Sequence, residues 1–318
     1  MEAKNTLSYR NDLEVTQELI QLIEDLDEKD KEVFNYIYSH QPEIRTLIAK
    51  NINLSSKNLH IMKNDVNIFV RASVAQNRKL DQLDIISLSQ DSNVLVVSSI
   101  AANQNLPLEL IEDFVSHESY MIRSSVASNS CIGINHLEKL SQDKIWGVRE
   151  KVALNKLTPA KVLDKMAEDR TREVVEAVAR SSSTSMHTLE KLSKKDNDLR
   201  DIVLENESLE ESLLKDIFET VRNDEDNDSE GSNYNYRSRE IIAKRGNLSR
   251  YFINLLIIDS EAGVRTSLAG NKVLTINDLE ILAIDSDQSV RKAAFDNPNS
   301  NDSIKASARL LGLDNEDE

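Results

Sequence analysis

Cysteine occurs once in the 318 residues, as Cys131. A lone thiol excludes an intramolecular disulfide and any centre built from several thiolates, and it fits a reducing compartment. Glycine and proline number only 7 and 4, while Leu, Ile, Ala, Glu and Lys abound, which is the composition of closely spaced helices. Aromatic residues make up 4%, so the core has to be aliphatic. No apolar stretch approaches the roughly 20 residues that span a bilayer, and the first twenty residues alternate charged and apolar groups without the apolar core of a signal peptide. The expectation is a soluble, cytoplasmic protein. Basic residues are also in deficit, with 39 Lys and Arg against 55 Asp and Glu and a net charge of −16. Nucleic acid and anionic membrane are polyanions that such a chain repels. Part of the excess is local, since residues 224–230 carry five acids and Asp314 to Glu318 four more.

What the chain has is a repeat. IRTLIAKN ends at Asn51, VRASVAQN at Asn77, VVSSIAAN at Asn103, IRSSVASN at Asn129 and VREKVALN at Asn155, each 26 residues after the last. The series continues with phrases ending at Ser181, Asn206, Arg245, Asn271 and Asn297, with one step of 25 and one of 39. A fixed period of this length is the mark of a solenoid. Within each phrase the apolar positions lie three and two residues before the terminal Asn, as in Val74 and Ala75, which places them on one helical face. Eight and eleven residues after it come pairs such as Ile85 and Leu88 or Leu137 and Leu140, the face of a second helix. Two short helices cannot bury their own apolar sides, so stacking of neighbours has to supply the core. The expected fold is all-α, a right-handed α-solenoid of about ten 26-residue two-helix repeats with helical caps.

The terminal Asn suits a left-handed corner at the end of the first helix, where its side chain can bond the local backbone. Fourteen residues later stands an acid, Asp65, Asp91, Asp143, Asp169, Asp259 or Asp285, and six residues beyond it an arginine, Arg71, Arg149, Arg265 or Arg291. Pairing within the repeat is the obvious reading. Asp91 and Asp169 persist, however, where the arginine position holds Val97 and Val175, so capping of the following helix accounts for the acid better.

The phrase VRxxVAxN, followed by a Leu-bearing helix and an Asp, resembles the leucine-rich repeat variant family and, more distantly, HEAT-like repeats, over about residues 40–300. The resemblance implies the solenoid fold. The family's cysteine-bound iron–sulfur cluster does not carry over to a chain with only Cys131. HEAT-like repeats that act on DNA supply an alternative function, nucleic-acid binding or a DNA-glycosylase-like activity, on a ladder of Arg45, Arg71, Arg123, Arg149, Arg200, Arg265 and Arg291. Against that, each arginine sits beside buried Val or Ile and the chain is acidic.

The remaining segments organise around the repeats. Residues 1–40 read as an N-terminal helical cap, with amphipathic helices at 13–26 and 30–39. Repeats fill 41–222 and 238–300, an acidic disordered insert occupies 223–237, and 301–318 form a closing helix and acidic tail. Asp224, Asp226 and Asp228 imitate an EF-hand, but Ser229 replaces its glycine and Asn235 its final glutamate. The five histidines occupy unrelated repeat positions, and no phosphate loop or nucleophile motif is present. No metal, cofactor or catalytic residue is expected. The expected role is a non-enzymatic scaffold binding a protein or peptide, itself a monomer or weakly self-associating. One row marks a candidate site. Nine and eight residues before the terminal Asn stand Ile68 and Phe69, Val94 and Leu95, Tyr120 and Met121, then Trp146, whereas later repeats are polar there. Ile68, Phe69, Leu95, Tyr120, Met121 and Trp146 form the expected partner-binding edge, read as a bend ahead of the first helix.

Overall fold

The computed structural model describes residues 37–223 and 232–311. The expected cap helix at 13–26, most of that at 30–39, the core of the insert and the acidic tail therefore lie outside the described residues. Among those described, the regular elements are twenty α-helices and no strand, and no helix is long and apolar enough to cross a membrane.

The helices alternate as the period requires. The first helices of the ten repeats are α1 (Pro42–Lys50), α3 (Ile68–Gln76), α5 (Val94–Ala101), α7 (Tyr120–Ala127), α9 (Trp146–Leu154), α11 (Arg172–Arg180), α13 (Asn197–Glu205), α15 (Ser232–Ala243), α17 (Ala262–Ala269) and α19 (Gln288–Asp296). The second helices are α2 (Ser56–Met62), α4 (Gln82–Leu88), α6 (Leu108–Val115), α8 (Ile134–Leu140), α10 (Ala160–Met166), α12 (Met186–Ser193), α14 (Glu211–Asn223), α16 (Arg250–Leu256), α18 (Ile276–Leu282) and α20 (Asp302–Leu310). The closing helix α20 is thus the second helix of the tenth repeat, burying Ile304 and Ala308.

Two compact units are formed, Met1–Val174 and Val175–Glu318. In the first, α1, α3, α5, α7 and α9 pack side by side in chain order; in the second, α13, α15, α17 and α19 do the same. Helices of seven to nine residues are too short to persist alone in water. Their apolar faces close against the next layer, with Val74, Ala75, Ile85, Ile100, Ile111, Val126 and Leu137 fully buried.

The repeat asparagines do more than turn a corner. Asn51, Asn77, Asn155, Asn206 and Asn297 have φ between −60° and −74° with extended ψ, so the expected left-handed conformation is not used. Each is buried, and from Asn77 onward the amide reaches into the preceding repeat. Asn103 Nδ2 donates to the carbonyls of Ala75 at 2.7 Å and Asn77 at 3.2 Å, while its Oδ1 accepts from the N–H of Asn105. The same pattern recurs at Asn77, Asn129, Asn155, Asn206, Asn271 and Asn297. The local bond forms the turn, and the two long-range bonds join one repeat to the next.

Of the expected insert at 223–237, residues 224–231 lie outside the described residues. Residues 232–237 are the opening turns of α15, where Asn235 and Ser238 are buried and accept hydrogen bonds from Arg200.

Removing one amide tests the inter-repeat bonds. Asn103→Ala leaves two dry carbonyls and is expected to lower stability by about 2 kcal/mol, read from the urea midpoint. Asn103→Asp is expected to cost more, because its carboxylate would face those carbonyl oxygens.

Candidate functional site

The arginine ladder is real, but its partners differ from those expected. Arg71 Nε donates to Asp91 Oδ2 at 2.7 Å and its Nη2 to Asp91 Oδ1 at 3.1 Å. Asp91 lies in the next repeat, twenty residues ahead. Nη1 meanwhile donates to the backbone carbonyl of Asp65, six residues back. The same two-pronged pairing joins Arg45 to Asp65, Arg123 to Asp143, Arg149 to Asp169, Arg239 to Asp259 and Arg265 to Asp285, with Nε–Oδ2 distances of 2.6–2.8 Å. Arg239, which the sequence reading passed over, belongs to the ladder and is almost fully buried.

This corrects the capping assignment. The first helices of the early repeats are capped by Asn67 and Asn93, which accept from the N–H groups of Phe69 and Leu95. The acids stand two residues earlier and hold the N–H of the capping residue, as Asp65 does for Asn67 and Asp91 for Asn93. Pairing is the acid's main role, across the repeat boundary. Where the arginine is missing, its distant partner is missing too: twenty residues beyond Val97 stands His117, and beyond Val175 stands Lys195. His117 keeps the turn alone, its Nδ1 accepting from the N–H of Ser119 at 3.0 Å.

These pairs are sheltered, with arginine side chains exposed by 2–15%. The hydrogen bonds from Arg71 hold the Asp91 carboxyl below its ordinary pKa, overcoming the opposing effect of burial. Guanidinium groups clamped in this way are not available to phosphates, so the ladder no longer supports the nucleic-acid reading. Nor do the histidines assemble a centre: His60 bonds Asp84 and His136 bonds Glu112, and among the described residues no three metal-binding side chains converge.

The apolar row lies on the first turns of α3, α5, α7 and α9 rather than in a bend. Phe69, Tyr120, Met121 and Trp146 are 58%, 53%, 39% and 46% exposed, and Ile68 and Leu95 are half-buried. Around them is a feature the sequence reading missed. The only charged residues in α3, α5 and α7 are Arg71 and Arg123, and both are committed to ion pairs. The remaining accessible positions of these helices are Gln76 and Val94, exposed, and Ser124 and Ser125, half-buried, in a chain where 30% of residues are charged. Serine hydroxyls turn inward, with Ser98 and Ser99 both donating to the Leu95 carbonyl and Ser128 to that of Ser124. Charge returns on both sides, as Glu43 and Lys50 on α1 and as Glu150 and Lys151 on α9. Beside Phe69, a hollow of about 320 Å³ is lined by Pro42, Thr46 and Leu47.

No family model matches the chain, and no curated protein matches it. Among solved structures it is similar to one described as a leucine-rich repeat variant with a novel repetitive protein structural motif, at 21% identity over 72% of this chain and 88% of that one, with a TM-score of 0.45. It is also matched by the crystal structure of an engineered protein, at 14% identity over 93% of this chain and 98% of that one, with a TM-score of 0.15.

A double-mutant cycle separates pairing from capping. Asp91→Asn keeps an acceptor for the turn but strands Arg71, and is expected to cost about 3 kcal/mol. Adding Arg71→Val, as the third repeat has at Val97, should recover part of that loss. A carboxylate with a depressed pKa stabilises the fold above its unfolded value, near 4, and loses that contribution as pH falls through the folded value. Urea titrations should therefore show the gap between wild type and Asp91→Asn closing below about pH 4.

Proposed function

We propose that this chain is a non-catalytic repeat scaffold that binds a protein or peptide segment across the uncharged face of α3, α5 and α7, with Phe69, Tyr120, Met121 and Trp146 as anchors. The observation that supports this reading is an exposed aromatic row on a face whose only two charges are locked in ion pairs. Exposed aromatic side chains gain most from being covered. The exposed Ser128 hydroxyl already donates to the Ser124 carbonyl of its own helix, so covering it costs little. The charged residues of α1 and α9 supply a polar rim of the kind that surrounds an apolar interface centre. Ile68 and Leu95, half-buried, form the floor between the anchors. The expected partner is an apolar segment rather than a polyanion, in keeping with the net charge of −16.

Trp146 is the only tryptophan, so its fluorescence reports directly on this face. Peptides selected from a random library against the intact chain should shift its emission to the blue on titration. Phe69→Ala and Tyr120→Ala should each weaken binding about tenfold, roughly 1.4 kcal/mol, without moving the urea midpoint, whereas Tyr251→Ala in the other unit should have no effect. Peptides that bind all these variants equally would refute the assignment.

A further inference from the structure

The eighth repeat departs from the asparagine rule at the place where the period lengthens to 39 residues. Arg245 stands where the other repeats have Asn, and it makes the same inter-repeat bonds by different means. Its Nη1 donates to the carbonyl of Leu204, in close contact, and to that of Asn206 at 3.1 Å, the two positions an asparagine would reach. An arginine arm is longer than an asparagine arm. Between the C-terminal ends of α13 and α15 a cleft of about 630 Å³ opens, with Arg245 in its lining.

Arg245 is only 9% exposed and, like Arg291 at the last ladder position, has no carboxylate partner. Nη1 is occupied by carbonyls, Nε is buried without an acceptor, and Nη2 meets none among the described residues. Burial pushes its pKa down, with the charge of Glu207 opposing the shift. Lys244 adds a second cation to the lining, Glu205 and Glu207 place two anions there, and Ile241 contributes apolar surface.

We propose that this cleft binds a small zwitterion, a molecule bearing both a carboxylate and a cationic amine, as amino acids and short peptides do. The carboxylate meets Nη2 of Arg245 with help from Lys244, the amine is held by Glu205 and Glu207, and the aliphatic part rests on Ile241. A phosphate dianion is poorly matched, because two glutamates and the negative ends of two helices surround the guanidinium. A simple cation is repelled by Arg245 and Lys244. The site lies in the other unit from the aromatic face and is independent of the proposal made for it.

The intact chain with ¹⁵N-labelled arginine allows the Arg245 Nε–H resonance to be followed while L-leucine, tri-alanine, acetate and inorganic phosphate are titrated. At least one zwitterion should give a saturable shift at concentrations tenfold below those needed for acetate or phosphate. Saturation by L-leucine would identify a free amino acid, and saturation by tri-alanine alone a peptide. Gly246 lines the cleft, and a Cβ added there meets nothing within 4 Å. Gly246→Leu should therefore plug the site and abolish saturation without altering the melting temperature. Arg245→Asn, restoring the repeat residue, should weaken binding at least tenfold, followed there through the Gly246 backbone amide of the uniformly ¹⁵N-labelled chain. The proposal fails if neither zwitterion saturates, if acetate or phosphate binds as tightly as the zwitterions, or if binding survives Gly246→Leu.

Discussion

Most layers of this protein depend on a buried asparagine amide that reaches back into the repeat before it. The helices of the first unit are seven to nine residues long, and each ends with carbonyls that no further turn can satisfy. In an exposed helix water would accept that role. Here the layers cover the helix ends, and the amide of the next repeat takes it instead. Because Asn103 bonds Ala75 and Asn77, and Asn129 bonds Ala101 and Asn103, each staple holds the backbone from which the next one is measured. A fixed spacing between neighbouring helices follows from this geometry, and Asn206 keeps it across a step of 25 residues.

The Arg–Asp pairs form a second rail, and the two rails have different tolerances. An asparagine removed leaves dry carbonyls with nothing to replace it, so substitution is confined to Ser181 and Arg245. An ion pair can be removed as a pair, and this has happened twice, at Val97 with His117 and at Val175 with Lys195. Losing both partners strands no charge, whereas losing one would leave a guanidinium sheltered from water. The third repeat shows the exchange in detail, for His117 takes over the acceptor role toward Ser119 that an aspartate oxygen would have filled.

This also explains what could be read from the chain beforehand. The period and the helical faces were legible because burial acts on side chains at fixed offsets from Asn, and Val74, Ala75, Ile85 and Leu88 show those offsets plainly. The direction of pairing was not, because Arg71 is nearer in sequence to Asp65 and nearer in space to the carboxylate of Asp91. The signal was present in the joint loss of residues twenty apart. The insert misled for a related reason: SNYNYR looks like loop composition, yet Asn235 and Ser238 satisfy Arg200 inside the fold where an aspartate would otherwise stand. The aromatic row was legible as a departure from the repeat, but its setting was not, since the absence of charge across α3, α5 and α7 emerges only once Arg71 and Arg123 are seen to be spent.

Repeats constrain the interior so tightly that function has to be sought where the constraint is silent or broken, and the two candidate sites illustrate one case each. On α3, α5 and α7 the stack dictates the inward face and leaves the outward one free; aromatic residues and uncharged neighbours there contribute nothing to stacking, as the polar later copies Arg172 and Glu173 demonstrate. At Arg245 the constraint itself is altered. A longer side chain reaches the same two carbonyls, the inter-repeat bond survives, and the space beside it holds a guanidinium edge with no carboxylate partner. The surface site can change without affecting the fold. The cleft cannot, because the residue that would bind its ligand is also the one that holds the eighth repeat to the seventh.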